Sequence, residues 1–274
     1  MSALPPAETQ RRSPAGAAGS TSRRWWRVGG SIVAGVVLLG ATASTIGWMA
    51  RETTTIDRSF DAASIRTIDV ETDGNIDVTG DGTDQVDVRA TIKSSLIAGN
   101  VTMEQRGDRL VIRQDCPVWG FEECSVSVRI VAPPDTSLIV RSDNGDVSAT
   151  RMSGRSDLAT DNGDIAVDDV TGDIELETSN GDIVGRRLEA RTIRAVSDNG
   201  DVGLEFADPP TRVDARSDNG DVDVAVPNVE GAYAVVLRTE NGDQRLTIPT
   251  DPGSARRVSA VTSNGDVSVR PAAR

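Results

Sequence analysis

Seven aspartates recur within one tripeptide, and they are the residues best placed to do chemistry. Asp146, Asp164, Asp182, Asp201, Asp221, Asp243 and Asp266 each close an Asn-Gly-Asp unit, at steps of 18, 18, 19, 20, 22 and 23 residues. Carboxylates repeated in this way support three chemistries. They can accept hydrogen bonds from turn amides and face water. They can offer hard oxygen ligands to calcium, although the period is about double that of the known calcium-binding nonapeptide repeats. They can also supply the paired acids of a glycoside hydrolase. A catalytic pair would show as a departure from the repeat, and the remaining acids, such as Asp168-Asp169 and Glu122-Glu123, are scattered. The expectation is therefore no catalytic residue, no metal and no cofactor, with calcium on the seven aspartates as the weaker alternative.

Composition removes other classes. The 274 residues include no histidine, which excludes a Ser-His-Asp triad, a Cys-His pair and a His-ligated zinc. Two cysteines cannot build a four-thiolate site. A net charge of -13 argues against nucleic acid as a partner, since that needs a basic face. Aromatics are only 3% of the chain, too few for a thick core of large side chains.

The elements that position the aspartates are strands. The turn pairs are Asn144-Gly145, Asn162-Gly163, Asn180-Gly181, Asn199-Gly200, Asn219-Gly220, Asn241-Gly242 and Asn264-Gly265. Two residues before each Asn stands Ser or Thr, and four and six before stand mostly Val, Ile, Leu or Ala. Two and four residues after each Gly, aliphatics return, with Gln244 as an exception. Such period-two alternation on both sides of a bend reads as strand, turn, strand. Asn-Gly is favoured where two successive residues need positive φ, so a turn of that kind is expected. Near-identical corners favour a β-solenoid, in which like residues stack at about 4.8 Å, over an antiparallel meander or sandwich. The second corner varies in length, as at Asp208-Pro209-Pro210 and Thr250-Asp251-Pro252-Gly253. The predicted interior is thin and filled by small aliphatics, which accounts for the missing aromatics.

Residues 1–27 are rich in Ser, Ala, Pro and Gly and read as a disordered cytoplasmic tail. Residues 28–50 carry no charge and follow Arg23-Arg24-Trp25-Trp26-Arg27, with Trp48 near the far end. As a helix they would span about 34 Å, which suits one transmembrane pass. A signal peptide cleaved after Ala41-Thr42-Ala43 is the competing interpretation. Five arginines against Glu8 leave +4 in residues 1–27, which puts -17 in residues 51–274. The positive-inside rule then keeps the N-terminus in the cytoplasm and residues 51–274 outside the cell membrane. On that side disulfides persist, and Cys116 and Cys124 flank a short loop, so a Cys116–Cys124 disulfide is expected; two buried thiols are the alternative. Residues 51–135 read as degenerate repeats and a cap, with one corner at Thr72-Asp73-Gly74-Asn75, and residues 136–274 as the regular solenoid.

The seven units and flanks such as Ser-Asp-Asn-Gly-Asp-Val resemble the membrane-anchored bacterial adhesins of the DUF4097 type, over roughly residues 60–272. That resemblance implies a tail, one membrane helix and an outer domain of strands broken by Gly-Asp turns, and it carries no residue-level function. The expected role is non-catalytic: an adhesin or envelope scaffold that binds an envelope or surface partner, with the membrane as its other contact. A sensory role in envelope stress is the alternative.

Overall fold

The computed structural model describes residues 52–94, 100–115, 124–229 and 232–273. The expected membrane span at 28–50 lies outside the described residues, as do Cys116 and the side chain of Cys124. Among the described residues no helix is long and apolar enough to cross a membrane.

The described chain is almost wholly strand. The N-terminal strands are β1 (Glu52–Asp61), β2 (Thr67–Thr72), β3 (Ile76–Gly80), β4 (Gln85–Ser94), β5 (Asn100–Arg106), β6 (Arg109–Asp115) and β7 (Cys124–Ala132). The seven Asn-Gly-Asp units then contribute two strands each. They are β8 (Ser137–Ser142) and β9 (Val147–Thr150), β10 (Ser156–Asn162) and β11 (Ile165–Asp168), β12 (Ile174–Asn180) and β13 (Ile183–Leu188), β14 (Thr192–Asn199) and β15 (Val202–Phe206), β16 (Arg212–Asn219) and β17 (Val222–Val226), β18 (Ala234–Arg238) and β19 (Gln244–Leu246), and β20 (Arg257–Asn264) and β21 (Val267–Pro271).

Each unit bends once at Asn-Gly-Asp, so its two strands fall in different sheets. Among the described residues one sheet runs β1-β4-β7-β3-β9-β11-β13-β15-β17-β21-β19 and the other β18-β20-β16-β14-β12-β10-β8-β2-β6-β5. Neighbouring strands of the repeats pair in parallel with no slip at the corner: Asn162 faces Asn180, Asn180 faces Asn199, and Asn199 faces Asn219. This is an all-β, solenoid-like stack of coils, and the meander is excluded by the parallel pairing.

Alternation fixes which residues fill it. Along β12, Ile174, Leu176 and Thr178 are buried while Glu175 and Glu177 are not. Every coil adds such a set, and one continuous core of small aliphatics results, from Ile65 to Val269. A one-residue slip would turn each set outward, so burial pins the register.

Two features depart from simple stacking. The N-terminal end is antiparallel: β4 lies between β1 and β7, and β5 hairpins onto β6. The coils also do not stack in chain order. The first coil, β2–β3, sits between β6–β7 and β8–β9, and the last, β20–β21, is inserted between β16–β17 and β18–β19. Gln244 supplies a reason at the C-terminal end. It occupies the inward position held by buried Val267 in the adjacent coil and by Val222 in the one beyond, and in the outermost coil it reaches water. Inside the stack its amide would be buried without partners, at a cost of about 1–3 kcal/mol.

Candidate functional site

The bends form one edge of the stack, and three columns run along it. The first is an amide ladder. Asn162 Nδ2 donates to Asn144 Oδ1 at 3.2 Å, Asn180 to Asn162 at 3.0 Å, Asn199 to Asn180 at 3.1 Å and Asn219 to Asn199 at 3.0 Å. Asn264 then donates to Asn219 and Asn241 to Asn264, both at 2.9 Å, so the ladder follows the inserted order of the coils.

The second column is glycine, and its cause differs from the one expected. None of the seven asparagines has positive φ, and Gly200, Gly220, Gly242 and Gly265 lie at 146° to 159°, close to the extended limit. The expected pair of positive-φ residues is therefore absent. Glycine is needed because the backbones touch: a Cβ on Gly181 would sit 2.0 Å from the Gly163 carbonyl oxygen, and one on Gly163 would sit 2.3 Å from that of Gly145. Those carbonyls accept from the hydroxyl row. Thr160 donates to Gly145, Thr178 to Gly163, Ser197 to Gly181 and Ser217 to Gly200, at 2.8 to 3.0 Å.

The third column holds Asp146, Asp164, Asp182, Asp201, Asp221, Asp266 and Asp243, all exposed. Each carboxylate except the last accepts the backbone N–H of the equivalent aspartate in the next coil. Asp182 N–H donates to Asp164 Oδ1 at 2.8 Å, Asp221 N–H to Asp201 at 2.7 Å, and Asp243 N–H to Asp266 at 2.8 Å. The column starts on Asn75, whose Oδ1 takes the Asp146 N–H at 3.2 Å, so the corner at Gly74-Asn75 stacks in line with the others. The amide dipole between successive carboxylates offsets part of their repulsion. Among the described residues no arginine forms an ion pair with any of the seven. Nor does any group of three or more His, Cys, Asp or Glu side chains converge into a metal-holding cluster.

A further acidic column escaped the sequence reading. Asp143, Asp161, Asp198, Asp218 and Glu240 precede their asparagines, and among the described residues only Asp218 is tied to an arginine, Arg216, at 3.0 Å. The repeated Ser-Asp-Asn-Gly-Asp was its signal. A separate shallow concavity of about 330 Å3 lies on the N-terminal antiparallel strands, lined by Asp57, Ser59, Asp87, Arg89 and Arg129. Within it Arg89 bonds Asp57 at 2.6 Å, which raises the guanidinium pKa, and Ser59 bonds Asp87 at 2.6 Å, while Arg129 reaches out to Asp77 at 3.1 Å.

These features define the fold class: a two-sheet stack of coils with a single stacked corner. Residues 65–270 match the family described as Toastrack DUF4097, and the chain belongs to that family. Similar solved structures include a "putative adhesin" from Bacteroides fragilis, 15% identical with a TM-score of 0.46, covering 80% of this chain and 97% of that one. A second "putative adhesin", from Parabacteroides distasonis, is 14% identical with a TM-score of 0.45 and covers 79% and 97%. A "putative cell adhesion protein" from Clostridium sporogenes is 8% identical with a TM-score of 0.43 and covers 80% and 100%. No curated protein matches the sequence.

Proposed function

We propose that this chain is a non-catalytic envelope protein that displays an anionic recognition edge outside the membrane. In this reading a helix over 28–50 anchors it, residues 1–27 lie in the cytoplasm, and the solenoid of residues 51–274 acts as an adhesin or scaffold. The observation that carries the reading is the aspartate column: seven exposed, stacked carboxylates with no arginine paired to them among the described residues. A rigid row of like charge favours a partner that brings its own cations, since the field along such a row steers and orients basic groups. The uninterrupted repeat supports a surface over an active site, because none of the seven units departs from the pattern at Asn-Gly-Asp. The arginines before residue 28 and the acidity after residue 51 support the orientation.

The test uses cells displaying the full chain and a triple variant, Asp164→Asn, Asp182→Asn and Asp201→Asn. Wild type should retain basic-polymer-coated surfaces and envelope fractions in a salt-sensitive way, and the variant should lose most of that retention. Equal retention by both, or cleavage of a cell-wall or acidic polysaccharide by the purified protein, would overturn the proposal. Protease added to intact cells should degrade the region after residue 51; full protection would overturn the orientation.

A further inference from the structure

The two ends of the stack differ. At the N-terminal end the outermost strands, β1 and β5, carry Asp57, Arg58 and Asp61, and Glu104 and Arg106. Charges on an edge block pairing with another chain. At the other end the outermost strands are β18 and β19, Ala-Val-Val-Leu-Arg and Gln-Arg-Leu. Their outer backbone edges have no strand beside them among the described residues. Here the core is open. Among the described residues the two exposed large hydrophobics are Val236, 46% exposed, and Leu246, 45% exposed, and both belong to this coil. Leu246 occupies an inward position, aligned with fully buried Val269, and Leu237 is aligned with fully buried Ala260.

Charge points to the occupant. Residues 232–256 contain Arg238, Arg245 and Arg256 against Glu240, Asp243 and Asp251, a net charge of zero within an outer region of -17. A second copy of this chain is otherwise repelled by that acidity, and this end is where two copies can approach. We propose that the β18–β19 coil is a self-association surface, on which two chains join end to end about a two-fold axis through Leu237 and Leu246. Rotation about that axis runs β18 antiparallel to β18 of the second copy and β19 antiparallel to its counterpart. Both sheets then continue across the junction, and the four leucines close the two open cores against each other.

The surface is small. A coil about 20 Å long and about 20 Å deep presents about 400 Å2 per copy. That is half of the about 800 Å2 per partner of a standard interface, so the dimer is weak and reversible.

Sedimentation of the full chain in detergent micelles over a wide concentration range tests this. Wild type should pass from one protomer to two as concentration rises. Val236→Lys with Leu246→Lys should weaken dimerisation at least tenfold; both side chains are about half exposed, so the fold is kept, as an unchanged melting curve would verify. Ala166→Lys, on the outer sheet face away from this end, should leave dimerisation unchanged. Leu246→Cys should give an oxidised covalent dimer in membranes, well above the level in wild type or in Asp57→Cys at the opposite end. A protomer at every concentration, dimers that persist in the double lysine variant, or no excess of cross-link at Leu246→Cys would each overturn the proposal.

Discussion

Two serines with the same burial should respond to alanine in opposite directions. Ser156 and Ser197 are both 0% exposed. Ser197 Oγ donates to the Gly181 carbonyl at 2.9 Å, whereas Ser156 Oγ has no partner. Ser156 stands in an inward row otherwise held by Leu138 and Ile174, so its hydroxyl is surrounded by aliphatics. An unpaired buried hydroxyl costs about 1–3 kcal/mol, and removing it leaves only a small void, so Ser156→Ala should stabilise by about 1 kcal/mol. Ser197→Ala loses a hydrogen bond and strands the Gly181 carbonyl, at a cost of about 2 kcal/mol. For a region of this size each kcal/mol moves the melting temperature by about 2–4 °C. Ser156→Ala should therefore melt a few degrees above wild type and Ser197→Ala about 4–8 °C below it, followed by circular dichroism near 218 nm. If both shift the same way, the partner-based account of the hydroxyl row is wrong.

Other perturbations follow from the same edge. Gly181→Ala places a methyl 2.0 Å from the Gly163 oxygen, so the coils must separate, and thermal melting should show a loss of several kcal/mol or no folded protein. Asn180→Ala breaks the amide ladder on both sides, at 3.0 and 3.1 Å, and should cost about 1–2 kcal/mol in denaturant unfolding. The melting temperature should be the same in EDTA and in millimolar calcium, because a ligand that binds only the folded state would raise it. Tyr233 is 1% exposed and donates its hydroxyl to the Pro227 carbonyl at 2.9 Å, and burial raises its pKa above the ordinary 10.0. The folded state thus holds the phenolic proton more tightly than the unfolded chain. Its contribution is full below pH 10 and is lost as pH rises through the raised value, so wild type should lose stability above pH 10 more steeply than Tyr233→Phe.

Much of this architecture is legible in the repeat itself. The alternation around Asn180 marks Ile174, Leu176 and Thr178 as inward, and they are buried. The Ser/Thr row could be seen, but not that Thr178 reaches the carbonyl of Gly163 in a neighbouring coil. Contacts between coils are set by stacking, and a local pattern carries no trace of which atom lies above which. For the same reason Asn-Gly suggested a tight turn of positive φ, whereas the glycine answers to a backbone about 2 Å from where its Cβ would be. The order of the last two coils was hidden because Val235-Leu237 and Val258-Ala260 offer the same inward faces. Two signals did exist: the longer final steps of 22 and 23 residues, which let the chain pass over a position, and Gln244 in an aliphatic row.

The inserted final coil also decides how the end of the chain is held. Residues 234–246 precede residues 257–271 in the chain, yet in the stack β20–β21 lies between β16–β17 and β18–β19. Thr239, Asn241 and Asp243 therefore bond the corner of the coil that follows them in sequence, at Gly265, Asn264 and Asp266. Parallel ladders grip the final coil on both sides: β20 pairs with β16 and β18, and β21 with β17 and β19. The chain's last strands are therefore clamped on both faces of the ladder, and the exposed sheet edge passes to a coil made of earlier residues.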